Sequence, residues 1–557
     1  MNAPAEGAAA GTPRADRAPP SGAGRWIAPL GLAGLGAAQT LAFVHTWAWV
    51  LPMLAAAGLA VSLERTGRSR PGRAFALGWS FGVGWLVAGV WWLFISMHRY
   101  GGLPAPLAAA AVLALAAALS VYLGAAAAAF VRWRRGRIGP DAALFAALWL
   151  LAELARGVLF TGFPWVASGY SQVDAPLAAL APWLGVYGIG AALAGAGAVL
   201  GLGAVARAWR PAAVVAALLA GLAVVPVPAF TRAAGEIEVA LVQTNVPQDE
   251  KFDAERLPLT LAAVQSALLT AKADLVVVPE TAVPLLPGQL QDFAPGYWQR
   301  LADHFAAGGP GSAHAALVGM PLGDFDRGYT NSVVGLGGAH GGAGAGSGGE
   351  LPPLPGVAYR YDKAHLVPFG EFIPYGFRWF TELMNIPLGD FTRGRLDPPS
   401  FLAAGQRVAP NICYEDLFGE ELARRFAGGA ATAPTVMANL SNIAWFGPTI
   451  AIDQHLHISR LRTLEFQVPM VRATNTGATA VITHGARVAA SVPPHTRNAL
   501  VATVQGRAGV TPYAWWAGHF GLAPLALAGC IAVAIGVWRG RRRHGPDARA
   551  ADVGPAR

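Results

Sequence analysis

Ala409-Pro410-Asn411-Ile412-Cys413-Tyr414-Glu415-Asp416 sets a single thiol between an apolar run and a pair of acids. Apolar residues leading into a polar turn mark a strand end, where a side chain is presented to a cleft. A lone cysteine is more often inert packing than a nucleophile, so this stretch alone leaves both readings open. The only other cysteine, Cys530, lies in an apolar run near the C-terminus. A disulfide between that run and a strand end is not expected, so Cys413 stays a free thiol even in an oxidising compartment.

Of the 557 residues, 54% are hydrophobic and 13% charged, with a mean hydropathy of +0.41. An ordinary soluble protein carries about 25% charged residues. Charge-poor apolar runs cover 26–44, 47–63, 74–97, 104–131, 142–160, 176–206, 211–229 and 519–538. Each approaches the length of about 20 residues that crosses a bilayer, which predicts roughly eight spans. The formal charge of +9 does not signal nucleic acid, because no basic stripe is interleaved with aromatics. Acids outnumber bases between 230 and 518, and the positive excess sits in arginine clusters beside the apolar runs.

Those clusters orient the chain. Arg14, Arg17 and Arg25 precede the first run; Arg65, Arg68, Arg70 and Arg73 follow the second; Arg132, Arg134, Arg135 and Arg137 follow the fourth. Arg207 and Arg210 follow the sixth, and Arg539, Arg541, Arg542, Arg543, Arg549 and Arg557 the last. With alternating spans all lie on one side, and only Arg99 falls in an opposite loop. The positive-inside rule then makes both termini cytoplasmic. The expected organisation is a disordered cytoplasmic tail over 1–25, seven membrane helices over 26–229, an outward domain over 230–518, an eighth helix over 519–538 and a basic cytoplasmic tail over 539–557. In a Gram-negative inner membrane the outward domain faces the periplasm.

The outward domain follows a different pattern. Ile237-Glu238-Val239-Ala240-Leu241-Val242 and Leu275-Val276-Val277-Val278 read as strands, with helical patterning over 254–272 and 297–307. Further strands are expected within 332–336, 356–361, 407–413, 434–440, 470–474 and 478–483, giving an α/β fold with helices covering sheets. The glycine-rich 335–350 lacks the lysine of a phosphate loop and reads as a flexible insertion. Within the fifth run Glu153 and Arg156, three residues apart, share a helix face. An intramembrane pair is often functional, but a clasp between helices is the preferred reading. Gly162-Phe163-Pro164-Trp165 and Gly169-Tyr170-Ser171-Gln172 follow at the outer face and suit a lipid- or domain-contacting loop.

Glu280, Lys363 and Cys413 each end a strand-like run, and strand ends in an α/β fold converge on one rim. A thiol needs a base to become a thiolate, which Glu280 can supply. A tetrahedral intermediate needs a fixed positive donor, which Lys363 can supply. Taken singly, each charged residue reads more readily as a surface salt bridge.

Three motifs carry a resemblance. Val278-Pro279-Glu280-Thr281, Tyr361-Asp362-Lys363-Ala364-His365-Leu366-Val367-Pro368-Phe369-Gly370-Glu371 and Asn411-Ile412-Cys413-Tyr414-Glu415 resemble those of the nitrilase, or carbon–nitrogen hydrolase, superfamily. The runs on either side, with Gly162-Phe163-Pro164-Trp165, Ser441-Asn442, Ala444-Trp445-Phe446-Gly447, Gln454-His455, Arg472-Ala473-Thr474-Asn475 and Thr511-Pro512-Tyr513, make the chain similar to the apolipoprotein N-acyltransferase branch. The resemblance implies a polytopic α-helical membrane domain joined to a four-layer αββα sandwich with a Glu280–Lys363–Cys413 triad. It also implies acyl transfer from a phospholipid to the α-amine of a diacylated apolipoprotein through a thioester, with ping-pong kinetics and no cofactor. By the same resemblance Glu371 supports the triad, Tyr414 and Glu415 shape the oxyanion site and hold its loop, and Phe252 and Trp445 gate substrate. Ile443 stands where relatives commonly carry Asp, leaving any polar role there in doubt. A monomer in contact with the bilayer is expected.

Residues 369–388, including Trp379 and Phe380, are rich in aromatics but too interrupted to span, and read as an arm dipping into the outer leaflet and guarding the thioester. Ordinary core is the alternative. His455 and His457 face apart at i, i+2 and lack further ligands, so no metal site is expected. His365 is expected to pack behind Lys363. Two rivals remain: a membrane-tethered amidase with water as acceptor, and a transporter or receptor carrying a degenerate enzyme domain.

Overall fold

The computed structural model describes residues 24–307, 314–338, 350–378 and 390–541. Trp379, Phe380, most of the glycine-rich 335–350, most of the N-terminal tail and the end of the C-terminal tail lie outside the described residues.

The apolar runs fold as helices α1 (Gly24–Ala38), α2 (Val50–Glu64), α3 (Pro71–Val90), α4 (Ala105–Leu119), α5 (Val121–Trp133), α6 (Ile138–Val158), α7 (Ala181–Val205) and α8 (Arg210–Val224). In lipid, helices gain little from burying apolar surface and associate through close packing of small residues. Gly84 shows the requirement: a β-carbon there would run into the Ala33 carbonyl of α1.

Six helices among the described residues are long and apolar enough to cross a membrane, with α4 and α5 forming one of them. The seventh expected span is shorter than the run suggested. Pro226 and Pro228 cannot continue a helix, so α8 stops at Val224 and Val225 is extended. Its 15 residues reach about 22 Å, less than the hydrocarbon thickness. At the far end, α13 (Pro512–Phe520) and α14 (Ala523–Arg541) form a pair bent by 90°. Counted as one span, the pair brings the total to seven.

At one end of the bundle the cluster after α5 meets the ends of α2 and α14. Arg134 donates to Glu64 O at 2.8 Å and Thr66 O at 3.0 Å beyond α2, and Arg135 donates to Ile535 O at 2.9 Å on α14. Asp141 accepts from the backbone N–H groups of Arg135, Gly136 and Arg137, turning the chain into α6. Further along α6 Glu153 and Arg156 pair at 3.4 Å, both buried. Glu153 also accepts from Ser168 N at 2.7 Å and Ser168 Oγ at 3.0 Å. The pair thus ties α6 to the loop preceding α7, as expected of a clasp.

The other end of the bundle carries the α/β domain. One sheet has the order β12-β1-β2-β3-β4-β5, comprising β1 (Thr231–Gln243), β2 (Leu275–Val277), β3 (Ala315–Asp324), β4 (Gly328–Gly337), β5 (Val357–Asp362) and β12 (Asn498–Gly509). The other has the order β11-β10-β9-β8-β7-β6, comprising β6 (Phe401–Ala403), β7 (Gln406–Ile412), β8 (Val436–Ser441), β9 (Met470–Thr474), β10 (Ala480–Ile482) and β11 (Val488–Ser491). Each sheet has three parallel central strands, β1–β2–β3 and β7–β8–β9.

Alternation along the strands creates the layers. Ile237, Val239 and Leu241 face Val408, Ile412, Val436 and Leu440 between the sheets. Ala240 and Val242 point the other way, under α9 (Leu257–Thr270) and α11 (Tyr297–Ala307), which flank the short α10 (Pro287–Phe293). Helix α12 (Ala451–Phe466) covers the second sheet and also packs on the bundle through Ile452, Ile458 and Leu461. The result is the αββα sandwich. The expected glycine-rich insertion begins later than its composition suggests, because Gly335 and Gly337 still pair within β4.

Removing the carboxylate of Glu153 while keeping Arg156 leaves a buried guanidinium without its anion, a change that costs about 3–5 kcal/mol. Glu153→Ala is expected to lower the unfolding midpoint of the detergent-solubilised protein. An unchanged midpoint would mean that the clasp contributes nothing.

Candidate active site

Both sheets end at one rim, and the site lies across the seam between them. From the first sheet, β2 runs through Val278-Pro279 to Glu280, with Val278 N donating to Leu317 O at 3.0 Å. Gly319 lies beneath this turn, where a β-carbon would strike Pro279 O and Glu280 Cα. Strand β5 leads directly into Lys363, whose N–H donates to Asn331 O at 2.8 Å. From the second sheet, β7 delivers Cys413 at the start of a short 3-10 turn, with φ of +52°. That left-handed backbone is uncommon for a residue with a β-carbon and is found at functional sites.

The charged groups interlock. Lys363 Nζ lies 3.2 Å from Glu280 Oε1 and 2.9 Å from Glu371 Oε1, and all three residues are buried. Asn331 Nδ2 donates to the same two oxygens, at 2.8 and 2.7 Å. The second oxygen of Glu280 accepts from Asn442 N at 2.9 Å, reaching across the seam, while that of Glu371 accepts from Val367 N at 2.8 Å. Glu371 thus fixes Lys363 directly.

Burial alone would push the Lys363 ammonium toward deprotonation, but Glu280 and then Glu371 outweigh it and raise its pKa. The cation is therefore permanent. The Cys413 thiol is pushed up to about 12, by burial first and then by Glu280, against the opposing pull of Lys363 and the Ser441 hydroxyl. At neutral pH it rests as a thiol and needs a base before it can attack. Glu280, Lys363 and Cys413 are thus brought to one rim, with the Lys363 cation held and the Cys413 sulfur protonated.

Comparison with known proteins identifies the family. The family model for the apolipoprotein N-acyltransferase N-terminal domain matches residues 35–199, and the carbon-nitrogen hydrolase model matches 346–513. The apolipoprotein N-acyltransferase of Verminephrobacter eiseniae is 49% identical over 532 residues, covering 89% of this chain and 94% of that protein. That of Ralstonia nicotianae is 44% identical, covering 93% and 94%. The chain belongs to the apolipoprotein N-acyltransferase family. Among solved structures, the C. elegans NitFhit protein aligns at 16% identity over 49% of this chain and 62% of that chain, with a TM-score of 0.35.

The remaining expected residues of this family member divide. Glu415 accepts from Ile412 N at 2.6 Å, Tyr361 OH at 2.5 Å, Ala364 N at 2.7 Å and His365 N at 3.2 Å. It therefore holds the loop of Cys413 and joins it to the chain around Lys363. Tyr414 turns its side chain away from the rim and donates to Gly162 O at 3.0 Å, meeting the loop of the membrane half. Phe252 is 37% exposed. Trp445 packs edge-on against Tyr100 at 5.7 Å between ring centres. His365 bonds to Glu421 through Nδ1 at 3.0 Å and stacks on Phe418, behind Lys363. Ile443 is buried in the core shared with the bundle, where an apolar residue fits and a carboxylate would lack partners.

Sequence reasoning missed three contributors. Asn331 sits in mid-strand β4 with no motif to mark it. Asn442 acts through its backbone N–H, which no side-chain pattern reveals. Lys251 is buried, and its Nζ donates to Glu280 O at 3.1 Å. Burial pushes its pKa down to about 8, against the pull of Glu280 and Cys413. Its only sequence signal was a lysine just before Phe252.

The pKa directions separate two effects of Glu280. A neutral amide removes the base but also removes a negative charge that raises the thiol's pKa. Glu280→Gln is expected to lower turnover by about 100- to 10,000-fold. It is also expected to shift the pH profile of Cys413 alkylation downward. An upward or absent shift would place Glu280 away from the thiol.

Proposed function

We propose that this chain transfers an acyl chain from a membrane phospholipid to the α-amino group of the N-terminal diacylglyceryl-cysteine of apolipoproteins, by way of a thioester on Cys413. The observation that carries this reading is Lys363, clamped between Glu280 and Glu371 on the rim that presents Cys413, in a domain seated on a membrane bundle. The curated relatives bear the name of that activity.

Glu280 takes the proton from Sγ, and the thiolate attacks the ester carbonyl carbon of the phospholipid. The oxyanion that forms is stabilised by the fixed ammonium of Lys363. The C–O bond then breaks, and the departing alkoxide recovers the proton from Glu280 and leaves as lysophospholipid. In the second half the acceptor's amine attacks the thioester carbonyl, the C–S bond breaks, and the amine's proton returns through Glu280 to sulfur. Two substrates thus use one site in turn, which gives ping-pong kinetics. Phe252 and Trp445 flank the approach to the rim as gating residues.

In the cell the α/β domain faces the periplasm and both termini are cytoplasmic. Support comes from Arg134 and Arg135, which meet the ends of α2 and α14 at the bundle end opposite that domain, where the positive-inside rule puts basic residues. Helix α8 with residues 225–229 carries the chain outward as the seventh crossing, and α14 returns it as the eighth. The protein works as a monomer.

Incubation with phospholipid carrying a labelled acyl chain tests the reading. Intact-mass analysis is expected to show one acyl adduct on Cys413, discharged by a diacylated peptide. Cys413→Ala is expected to lose the adduct and to lower transfer by about 10,000-fold or more. Ammonia release from small amides without acyl transfer would instead make the protein an amidase.

A further inference from the structure

The carbonyl of Cys413 is gripped from behind by a buried network that the chemistry above leaves unused. His455 on α12 is fully buried, with Nε2 3.2 Å from Cys413 O. Its Nδ1 lies 3.2 Å from Arg472 Nη2 on β9. A guanidinium can only donate, so Nδ1 is the bare nitrogen and Nε2 carries the hydrogen. The imidazole is therefore a neutral donor to the Cys413 carbonyl. Burial and then the Arg472 charge keep it neutral, holding its pKa well below the ordinary histidine range.

Arg472 is itself fixed. Its Nη1 lies 3.0 Å from His455 O and 3.4 Å from Asp416 Oδ2, and it contacts Ser459 Oγ. The other donor to the Cys413 carbonyl, Asn439 Nδ2, is longer at 3.4 Å. The preceding residue on α12 grips the membrane half. Gln454 Oε1 accepts from Trp92 Nε1 at 3.0 Å and Trp165 Nε1 at 2.8 Å, and its Nε2 donates to Gly89 O at 2.9 Å. The Trp165 ring stands 5.7 Å from that of His455.

We propose that His455 is a positioning residue for acyl transfer. Its Nε2–H pins the Cys413 carbonyl and so sets the direction of Sγ, while Gln454 refers that position to the membrane helices. The peptide unit is planar, so pinning this carbonyl also fixes where the following N–H, that of Tyr414, points. A left-handed residue persists where its surroundings over-determine it, and here Glu415 holds the loop while His455, on the helix that packs on both halves of the molecule, holds the carbonyl. The inference rests on the reading of Cys413 as nucleophile.

Full-length His455→Phe, His455→Gln and Cys413→Ala are compared in detergent with a phospholipid donor and a diacylated peptide acceptor. His455→Phe is expected to lower kcat by about 100-fold, the cost of a misplacement of about 1 Å, with the acceptor KM nearly unchanged. Alkylation of Cys413 is expected to slow in parallel. His455→Gln, whose amide N–H reaches the same carbonyl, is expected to recover to within about tenfold of wild type, a partial rescue that only a donor can give. If the Phe variant fails to fold, His455→Asn, too short to reach, takes its place with the same expectation. Wild-type kcat in the variant lacking the donor overturns the proposal. So does a Gln variant that unfolds at the wild-type midpoint yet is as impaired as the variant lacking the donor. Activity in Cys413→Ala would overturn the nucleophile reading instead, so the two failures are told apart.

Discussion

A single carboxylate, that of Glu415, collects four hydrogen-bond donors from two different sheets. Tyr361, Ala364 and His365 belong to β5 and the segment that follows it, and Ile412 to the end of β7. Otherwise the strands that lead to Lys363 and Cys413 face each other across apolar side chains, an interface that resists separation but is indifferent to sliding. Hydrogen bonds are directional and set register. A buried acceptor with its donors removed would carry its full desolvation penalty, so the arrangement favours having all of them or none.

The bond from Asn442 N to Glu280 does the same at the other side of the rim, again joining the sheets. The reactive groups therefore sit where the two sheets are stitched together. This explains why so much charge is tolerated in a buried place: the Lys363 ammonium sits between the two carboxylates, whose other oxygens accept from Asn442 N and Val367 N.

Much of this was legible in the sequence because it is written in local chemistry. The apolar runs, the arginine clusters and the strand-end positions of Glu280, Lys363 and Cys413 each depend on neighbours a few residues away. What was illegible depends on distance along the chain. Asn331 and Lys251 earn no notice until folding brings them against a carboxylate and a carbonyl remote in sequence. The length of α8 was overestimated because hydropathy counts Val225, Val227 and Ala229 as helix, while Pro226 and Pro228 govern the backbone. Tyr414 adjoins Cys413 in sequence, but that a 3-10 turn sends its ring toward the bundle could not be read from adjacency.

That phenolic reach from Tyr414 to Gly162, beside the grip of Gln454 on Trp92 and Trp165, has a consequence for inheritance. The halves of this molecule are not interchangeable modules: the seam between them is made of specific pairs, one member from each side. A substitution on the bundle side of the seam alters the surroundings of the nucleophile as surely as one inside the sandwich. The two halves are therefore under selection to drift together, and a graft exchanging one half between distant relatives must carry both sides of the seam with it.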